Sequence, residues 1–194
     1  MFSGADASRT AALLSTALII SFSATWIIAV IIDGAWEFGV NMISDLGVSA
    51  TNAHYVFGWG SIASGILAAL TGYALSSLRG STADKAPFLL LMFAGVMLML
   101  VGIFPEGTAF HFPAALSLFI AVWISTVLLA VRDLRAGECL YGSINTVLAL
   151  LNVILLVAVS LALYEALGVI MFLLWASMLA HGALTGARGY GRSA

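Results

Sequence analysis

The hydrophobic positions of the chain fall in long blocks that are separated by short polar segments. Six apolar blocks reach or approach the roughly 20 residues that a helix needs to cross about 30 Å of hydrocarbon. They cover residues 10–32, 54–78, 87–104, 111–131, 143–163 and 168–186. Helices are required because unpaired backbone groups cannot face lipid. The pattern therefore predicts an all-α polytopic membrane protein with six transmembrane helices.

The segments between these blocks define the predicted connectivity. All but the first are short, at 79–86, 105–110, 132–142 and 164–167, so neighbouring helices should run antiparallel in an up-and-down bundle. No polar segment is long enough to fold separately, and residues 1–194 should form a single integral membrane domain. The long first link, 33–53, contains NMISDLG. We expect it to form a helical turn and to cap the bundle from outside.

Charged residues are scarce and unevenly distributed. Hydrophobic residues make up 62% of the 194 residues and charged residues 8%, against roughly 25% charged residues in soluble domains. All seven basic residues fall on one side of the predicted bundle: Arg9, Arg79, Lys85, Arg132, Arg135, Arg188 and Arg192. Because basic residues favour cytoplasmic loops, we expect a protein of the cell membrane with both termini in the cytoplasm. We expect no nucleic-acid partner. The single Cys139 excludes an internal disulfide.

The opposite side carries acids and histidines. The acids are Asp33, Glu37, Asp45, Glu106 and Glu165, while His54 and His111 lie at helix starts. The central stretch is GIFPEGTAFHFP at 102–113, in which Pro105 stops one helix and Pro113 suits the first turn of the next. Acids near helix N-termini stabilise them by roughly 0.3–1 kcal/mol each, so capping alone is one explanation of these acids.

Small and polar residues also occur inside the apolar blocks. Ser61, Gly65 and Ala69 recur at four-residue spacing, which favours close helix packing in the second block. Folding the last two helices about the YEALG turn should place Asn152 and Ser177 at similar depths. Interhelical hydrogen bonding is the first interpretation of such residues. A proton or ligand path through His181 is the alternative, because ionisable groups within a membrane often have functions.

Three strings, NMISDLG, GIFPEGTAFHFPAALSLF and YEALGVIMFLLW, together resemble a known family. They are similar to the prokaryotic six-helix membrane family called domain of unknown function 998, and more remotely to the Frag1/DRAM/Sfk1 group of eukaryotic membrane proteins. The resemblance implies no reaction. Family members often have an Arg where this chain has Ala166. The positions that match the family pattern are Asn41, Ser44, Asp45, Gly47, Pro105, Glu106, His111, Glu165 and Trp175.

Two sets of candidate site residues follow. Candidates for acid, base or metal-ligand roles are Asp45, Glu106, His111 and Glu165. Candidates for ligand contacts are Asn41, Ser44, His54 and Trp175. If the first set converges near the outer lipid headgroups, carboxylates and an imidazole suit a divalent metal, or an acid and base pair without one. A cationic ligand would also find complementary charge there.

Three classes of function remain open from the sequence. The first is a non-enzymatic membrane protein whose acidic and histidine cluster binds a metal, a lipid headgroup or a cationic ligand. The second is a lipid-modifying or hydrolytic enzyme acting on membrane lipids. The third is a small carrier or an accessory subunit, acting as a homo-oligomer or within a larger membrane complex. No diagnostic catalytic spacing, such as H-E-x-x-H, separates these classes.

Overall fold

The computed structural model describes residues 4–185, which form six long helices and one short helix. The long helices are α1 (Gly4–Asp33), α2 (Ala53–Ser77), α3 (Thr82–Ile103), α4 (His111–Arg135), α5 (Cys139–Ala158) and α6 (Leu161–Thr185). Each is long and apolar enough to cross a membrane. The predicted all-helical, multi-pass membrane fold is therefore confirmed.

The helices pack in a ring that follows the order of the chain. Each helix contacts its neighbour in sequence, and α6 returns to pack against α1. The contact between α5 and α6 is much smaller than the others. The rings of Phe119 on α4 and Tyr164 on α6 bridge the space beside this seam, with centroids 5.5 Å apart. A cleft is left between α4, α5 and α6.

Helix α2 fits closely against α3 because glycines of each helix face the backbone of the other. A Cβ atom at Gly65 would lie 2.5 Å from the carbonyl oxygen of Gly95, and a Cβ at Gly102 would lie 2.5 Å from that of Gly58. Gly72 meets the carbonyl oxygen of Phe88 at the same distance. Gly65 and Ala69, two of the three small residues predicted to allow close packing of α2, therefore lie at a helix contact within this chain.

The long first link caps one end of the bundle, as predicted. Its segment Ser44–Val48 forms a short 3-10 helix that packs on α1 and α2. Ile43 and Leu46 are buried in the apolar core at this end. The indole N–H of Trp36 donates to the carbonyl oxygen of Met42 at 2.8 Å, which holds the link against itself.

The connection between α5 and α6 differs from the prediction. The chain turns at 159–160, whereas the turn was expected at 164–167. Ser160 determines this position, because its hydroxyl oxygen accepts a hydrogen bond from the N–H of Leu163 and caps α6. Gly168 lies inside α6, where a Cβ atom would come within 2.8 Å of the Phe119 ring. The YEALG glycine therefore serves packing rather than a turn.

The two ends of the bundle differ in charge. At the basic end α1, α3 and α5 begin, and this end carries every Lys and Arg within residues 4–185. At the acidic end α2, α4 and α6 begin, and this end carries the link and the turn that follow α1 and α3. Two predicted basic positions, Arg188 and Arg192, lie outside the described residues.

Candidate functional site

A tight turn after α3 places the first two site residues. Gly107 adopts a φ of +82°, a conformation that favours glycine. The N–H of Thr108 donates to the carbonyl oxygen of Pro105 at 3.1 Å, and the N–H of His111 donates to that of Thr108 at 3.2 Å. This turn brings Glu106 back over the first residue of α4.

His111 lies buried at the start of α4 and contacts a partner through each ring nitrogen. Its Nδ1 lies 2.8 Å from the carbonyl oxygen of Phe104, and its Nε2 lies 3.0 Å from Oε2 of Glu106. A carbonyl oxygen only accepts, so Nδ1 carries a hydrogen. An unprotonated Nε2 and a carboxylate oxygen are both acceptors, so the contact with Glu106 is favourable only if one of the two groups carries a proton and donates it to the other. Glu106 and His111 therefore form a proton-sharing pair.

Glu165 lies one turn inside α6 and faces the short 3-10 helix. The N–H of Ser44 lies 3.3 Å from its Oε1, and the Ser44 hydroxyl lies 3.4 Å from its Oε2. Ser44 itself is buried. The carboxylates of Glu106 and Glu165 lie close enough to repel one another when both are charged. Three chain segments thus bring two acids, an imidazole and a hydroxyl to one place.

These residues form the polar end of a groove of about 570 Å³ between α4, α5 and α6. The groove extends along α4 from His111 to Trp123, or about 18 Å at the helical rise of about 1.5 Å per residue. Its walls are mostly apolar, and several of the side chains are also exposed at the protein surface, so that the groove opens sideways. These exposed wall residues are Phe112, Leu116, Ile120, Val153, Leu156 and Leu161.

Two polar groups lie on the wall below the acids. The hydroxyl of Tyr164 donates to Oδ1 of Asn152 at 2.9 Å. The indole N–H of Trp123 donates to the carbonyl oxygen of Ala149 at 3.1 Å. Both bonds tie the helices around the groove together. The sequence indicated Asn152 as a polar residue of α5 at the depth of Ser177, but it did not indicate Tyr164 as its partner.

Four of the predicted site residues lie away from this groove. The Asp45 carboxylate turns back to accept from the N–H of Met42 at 2.8 Å. The Asn41 side chain accepts from the N–H of Glu37. His54 contacts the carbonyl oxygens of Ser49 and Thr51, and lines a different surface cavity beside α2 and α3. Trp175 is buried in the core. Of the residues predicted to converge, Glu106, His111 and Glu165 line the groove and Asp45 does not, while Ser44 of the ligand-contact set lies beside Glu165.

A metal centre does not fit this arrangement. Among residues 4–185, no three His, Cys, Asp or Glu side chains are grouped so that they could hold a metal ion. Asp45 would have been the further ligand, and its carboxylate is occupied by the backbone of its own loop. The divalent-metal site considered from the sequence is therefore not formed by the described residues.

The predicted polar path along α5 and α6 is interrupted. Ser177 donates to the carbonyl oxygen of Leu173 within its own helix, at 2.8 Å. His181 contacts the hydroxyl of Tyr141 at 2.7 Å near the basic end. Asn152 lines the groove, whereas His181 does not. The contact between His181 and Tyr141 matches the interhelical hydrogen bonding that was the first interpretation, whereas the bond of Ser177 lies within α6.

The sequence did not predict most of the residues that shape the groove. Phe119 and Trp123 line it as ordinary members of an apolar helix. Tyr164 was visible in the YEALG string beside Glu165, but the expected turn there hid its place on a helix wall. Phe119 and Trp123 are four residues apart on α4, and Tyr164 directly precedes Glu165 on α6. Many apolar helices share such features, so neither feature predicts a groove.

Comparison with known proteins places the chain in a family. No curated protein and no solved structure matches it. The family model described as Protein of unknown function (DUF998) matches residues 16–182, which span the larger part of α1, all of α2 to α5, most of α6 and the three segments of the polar site. The protein therefore belongs to the DUF998 family of proteins of unknown function.

Proposed function

We propose that the protein binds an amphiphilic lipid of the surrounding membrane, with a cationic head group held by Glu106 and Glu165. The observation that carries the proposal is that one groove has two acids at one end and apolar walls along the rest. Its length of about 18 Å is close to one leaflet, about half of the 30 Å hydrocarbon thickness. A lipid tail entering sideways would thus lie at its normal depth.

Charge favours a cation over an anionic head group. Within residues 4–185, no Lys or Arg lies at the acidic end to hold a phosphate or carboxylate. The groove carries Glu106 and Glu165, while the proton-sharing His111 contacts Glu106 directly. A cationic ammonium group would lower the repulsion between the two acids by its charge alone, even where it is quaternary and has no N–H to donate.

Binding of matched amphiphiles tests this proposal. Purified protein in maltoside micelles is mixed with dodecyltrimethylammonium or with dodecanoate, and bound molecules are counted by native mass spectrometry. We expect the cation to bind and the anion not to bind. Glu165→Gln should weaken cation binding about tenfold, or about 1.4 kcal/mol, because it removes a charge but keeps an acceptor for Ser44.

Glu37→Gln is the matched control for this experiment. Glu37 is an exposed acid at the same end of the bundle, and it does not line the groove. Its replacement should leave cation binding unchanged. Equal binding of the two amphiphiles, or equal effects of the two substitutions, would contradict a cation site in the groove.

The Glu106 and His111 pair favours a second function, hydrolysis of an ester-linked lipid. In this reaction Glu106 would accept a proton from water, whose oxygen attacks the ester carbonyl, and His111 would return a proton to the leaving alcohol. A carboxylic acid and an alcohol are the products. Release of both products by wild-type protein but not by Glu106→Gln would support this function, and an intact ester would exclude it.

The same proposal includes an orientation, with the acidic end outside the cell and both termini in the cytoplasm. The distribution of Lys and Arg supports it. The single Cys139 is exposed at the basic end. In sealed bacterial spheroplasts an impermeant maleimide should label Cys139 only after permeabilisation. Val48→Cys, in a Cys139→Ser background, should be labelled at once, because Val48 is exposed at the acidic end. The reverse pattern would overturn the orientation.

A further inference from the structure

We infer that the amide group of Asn152 recognises an acyl carbonyl of the bound amphiphile, so that the ligand is an ester or amide rather than a simple alkyl cation. This inference rests on the proposed function, because it concerns the same groove. It adds a chemical requirement that the acids alone do not impose.

Asn152 uses its amide oxygen in one hydrogen bond and lines the groove. Oδ1 accepts from the Tyr164 hydroxyl at 2.9 Å. Among residues 4–185, no hydrogen-bond partner contacts its Nδ2. An amide NH₂ carries two donors. A donor at lipid depth gains from a partner because water is scarce there.

The depth of Asn152 suits the linkage region of a lipid. It lies about 9 Å along α5 from the end of that helix at Ala158, while Glu165 lies about 6 Å along α6 from its start at Leu161. The amide is thus slightly deeper than the acid. A cationic head at Glu165 would place a carbonyl a few bonds further down the ligand, next to Asn152.

Among the described residues that line the groove, no other side chain at this depth offers a donor toward the ligand. The Trp123 indole N–H is already donated to the carbonyl oxygen of Ala149, and the Tyr164 hydroxyl is donated to Asn152 itself. The neighbouring wall residues, Leu116, Phe119, Val153 and Leu156, are apolar. Asn152 is therefore the residue that distinguishes a carbonyl from a methylene.

A pair of probes tests the inference. Lauroylcholine carries an ester carbonyl near its cationic head, and the matching alkyl choline ether lacks only that carbonyl. We expect wild-type protein to bind the ester about fivefold more tightly, as one neutral hydrogen bond allows. Asn152→Leu should bind both probes like the ether. Tyr164→Phe should keep the preference, because it breaks the same interhelical bond but retains the Asn152 donor.

The possible outcomes separate this inference from the proposed function. Equal binding of ester and ether by wild-type protein would overturn the role of Asn152 while leaving the cation site intact. Loss of the preference in both variants alike would also overturn it, because Asn152 would then act only through its bond to Tyr164. Failure of both probes and of dodecyltrimethylammonium to bind would contradict the proposed function itself.

Discussion

His111 shows how single residues set the chemistry of this site. Its side chain is 5% exposed, yet both ring nitrogens have partners, Phe104 on one side and Glu106 on the other. The backbone carbonyl fixes the hydrogen on Nδ1, and so Nε2 is the nitrogen directed toward the groove acid. One side chain thus ties the end of α3 to the start of α4 and holds Glu106 in place.

Replacement of His111 should therefore reduce stability. His111→Ala leaves the Phe104 carbonyl oxygen without its partner, and we expect the free energy of unfolding to fall by about 1–3 kcal/mol. His111→Asn should recover part of this loss, because its Nδ2 can replace Nδ1. Thermal unfolding in detergent measures both variants. An alanine variant as stable as wild type would show that the buried contacts contribute nothing.

Residue types and spacing predicted the groove acids but not the direction of every side chain. Glu106, His111 and Glu165 line one groove, and Ser44, which was not expected among these acids, contacts Glu165. Asp45 follows Ser44 directly and points elsewhere. Successive residues of a 3-10 helix differ by about 120°, so neighbours cannot share a direction. The residue that faces inward depends on how the short 3-10 helix is rotated about its axis when the link packs, and this rotation cannot be read from the sequence.

Among the helices, the contact between α2 and α3 carries the clearest sequence signal. Lipid provides no hydrophobic drive for helix association, so close backbone approach has to supply the attraction. Gly65 and Gly95 face one another across this contact, and a Cβ atom on either would lie 2.5 Å from backbone of the other helix. The pattern of small residues therefore marks the contact.

Gly95→Ala should separate α2 from α3. The new methyl group meets the N–H of Ala69 and the carbonyl of Gly65, neither of which can move alone. We expect the free energy of unfolding to fall by about 1–3 kcal/mol, as overpacking usually costs. Gly80→Ala is the control, since no atom lies within 4 Å of its Cβ position. Unfolding curves of the two variants that coincide would refute the close contact.

Among the predicted helix boundaries, the connection between α5 and α6 differs most clearly from the structure. In the sequence, Gly168 three residues after Glu165 resembles a turn. The apolar run of α5 also continues toward this position without a clear break. Ser160 in fact ends that run with a helix cap. A lone serine in a membrane helix commonly bonds to its own backbone, so its capping role was not visible. This shift places Glu165 inside α6, where it reaches Ser44 and the groove.

For the whole molecule, the number of helices and the opposite charge of the two ends followed from the sequence. The groove did not. It arises because α5 packs mainly on α4 and little on α6, and because aromatic side chains bridge the space between α4 and α6. In a membrane all helix faces are apolar, so hydropathy does not show which faces stay apart. The position at which the ring of helices opens is therefore determined by three-dimensional packing and not by composition.

The most direct test of the account is an experimental structure of the protein in a lipid nanodisc. We predict elongated density that starts between Glu106 and Glu165 and follows α4 toward Trp123, with the tail between Leu116 and Leu156. The contrary result would be a closed groove, in which those two leucines touch and the acids are satisfied by their own loops. That result would remove amphiphile binding from the account and leave the polar residues with a purely structural role.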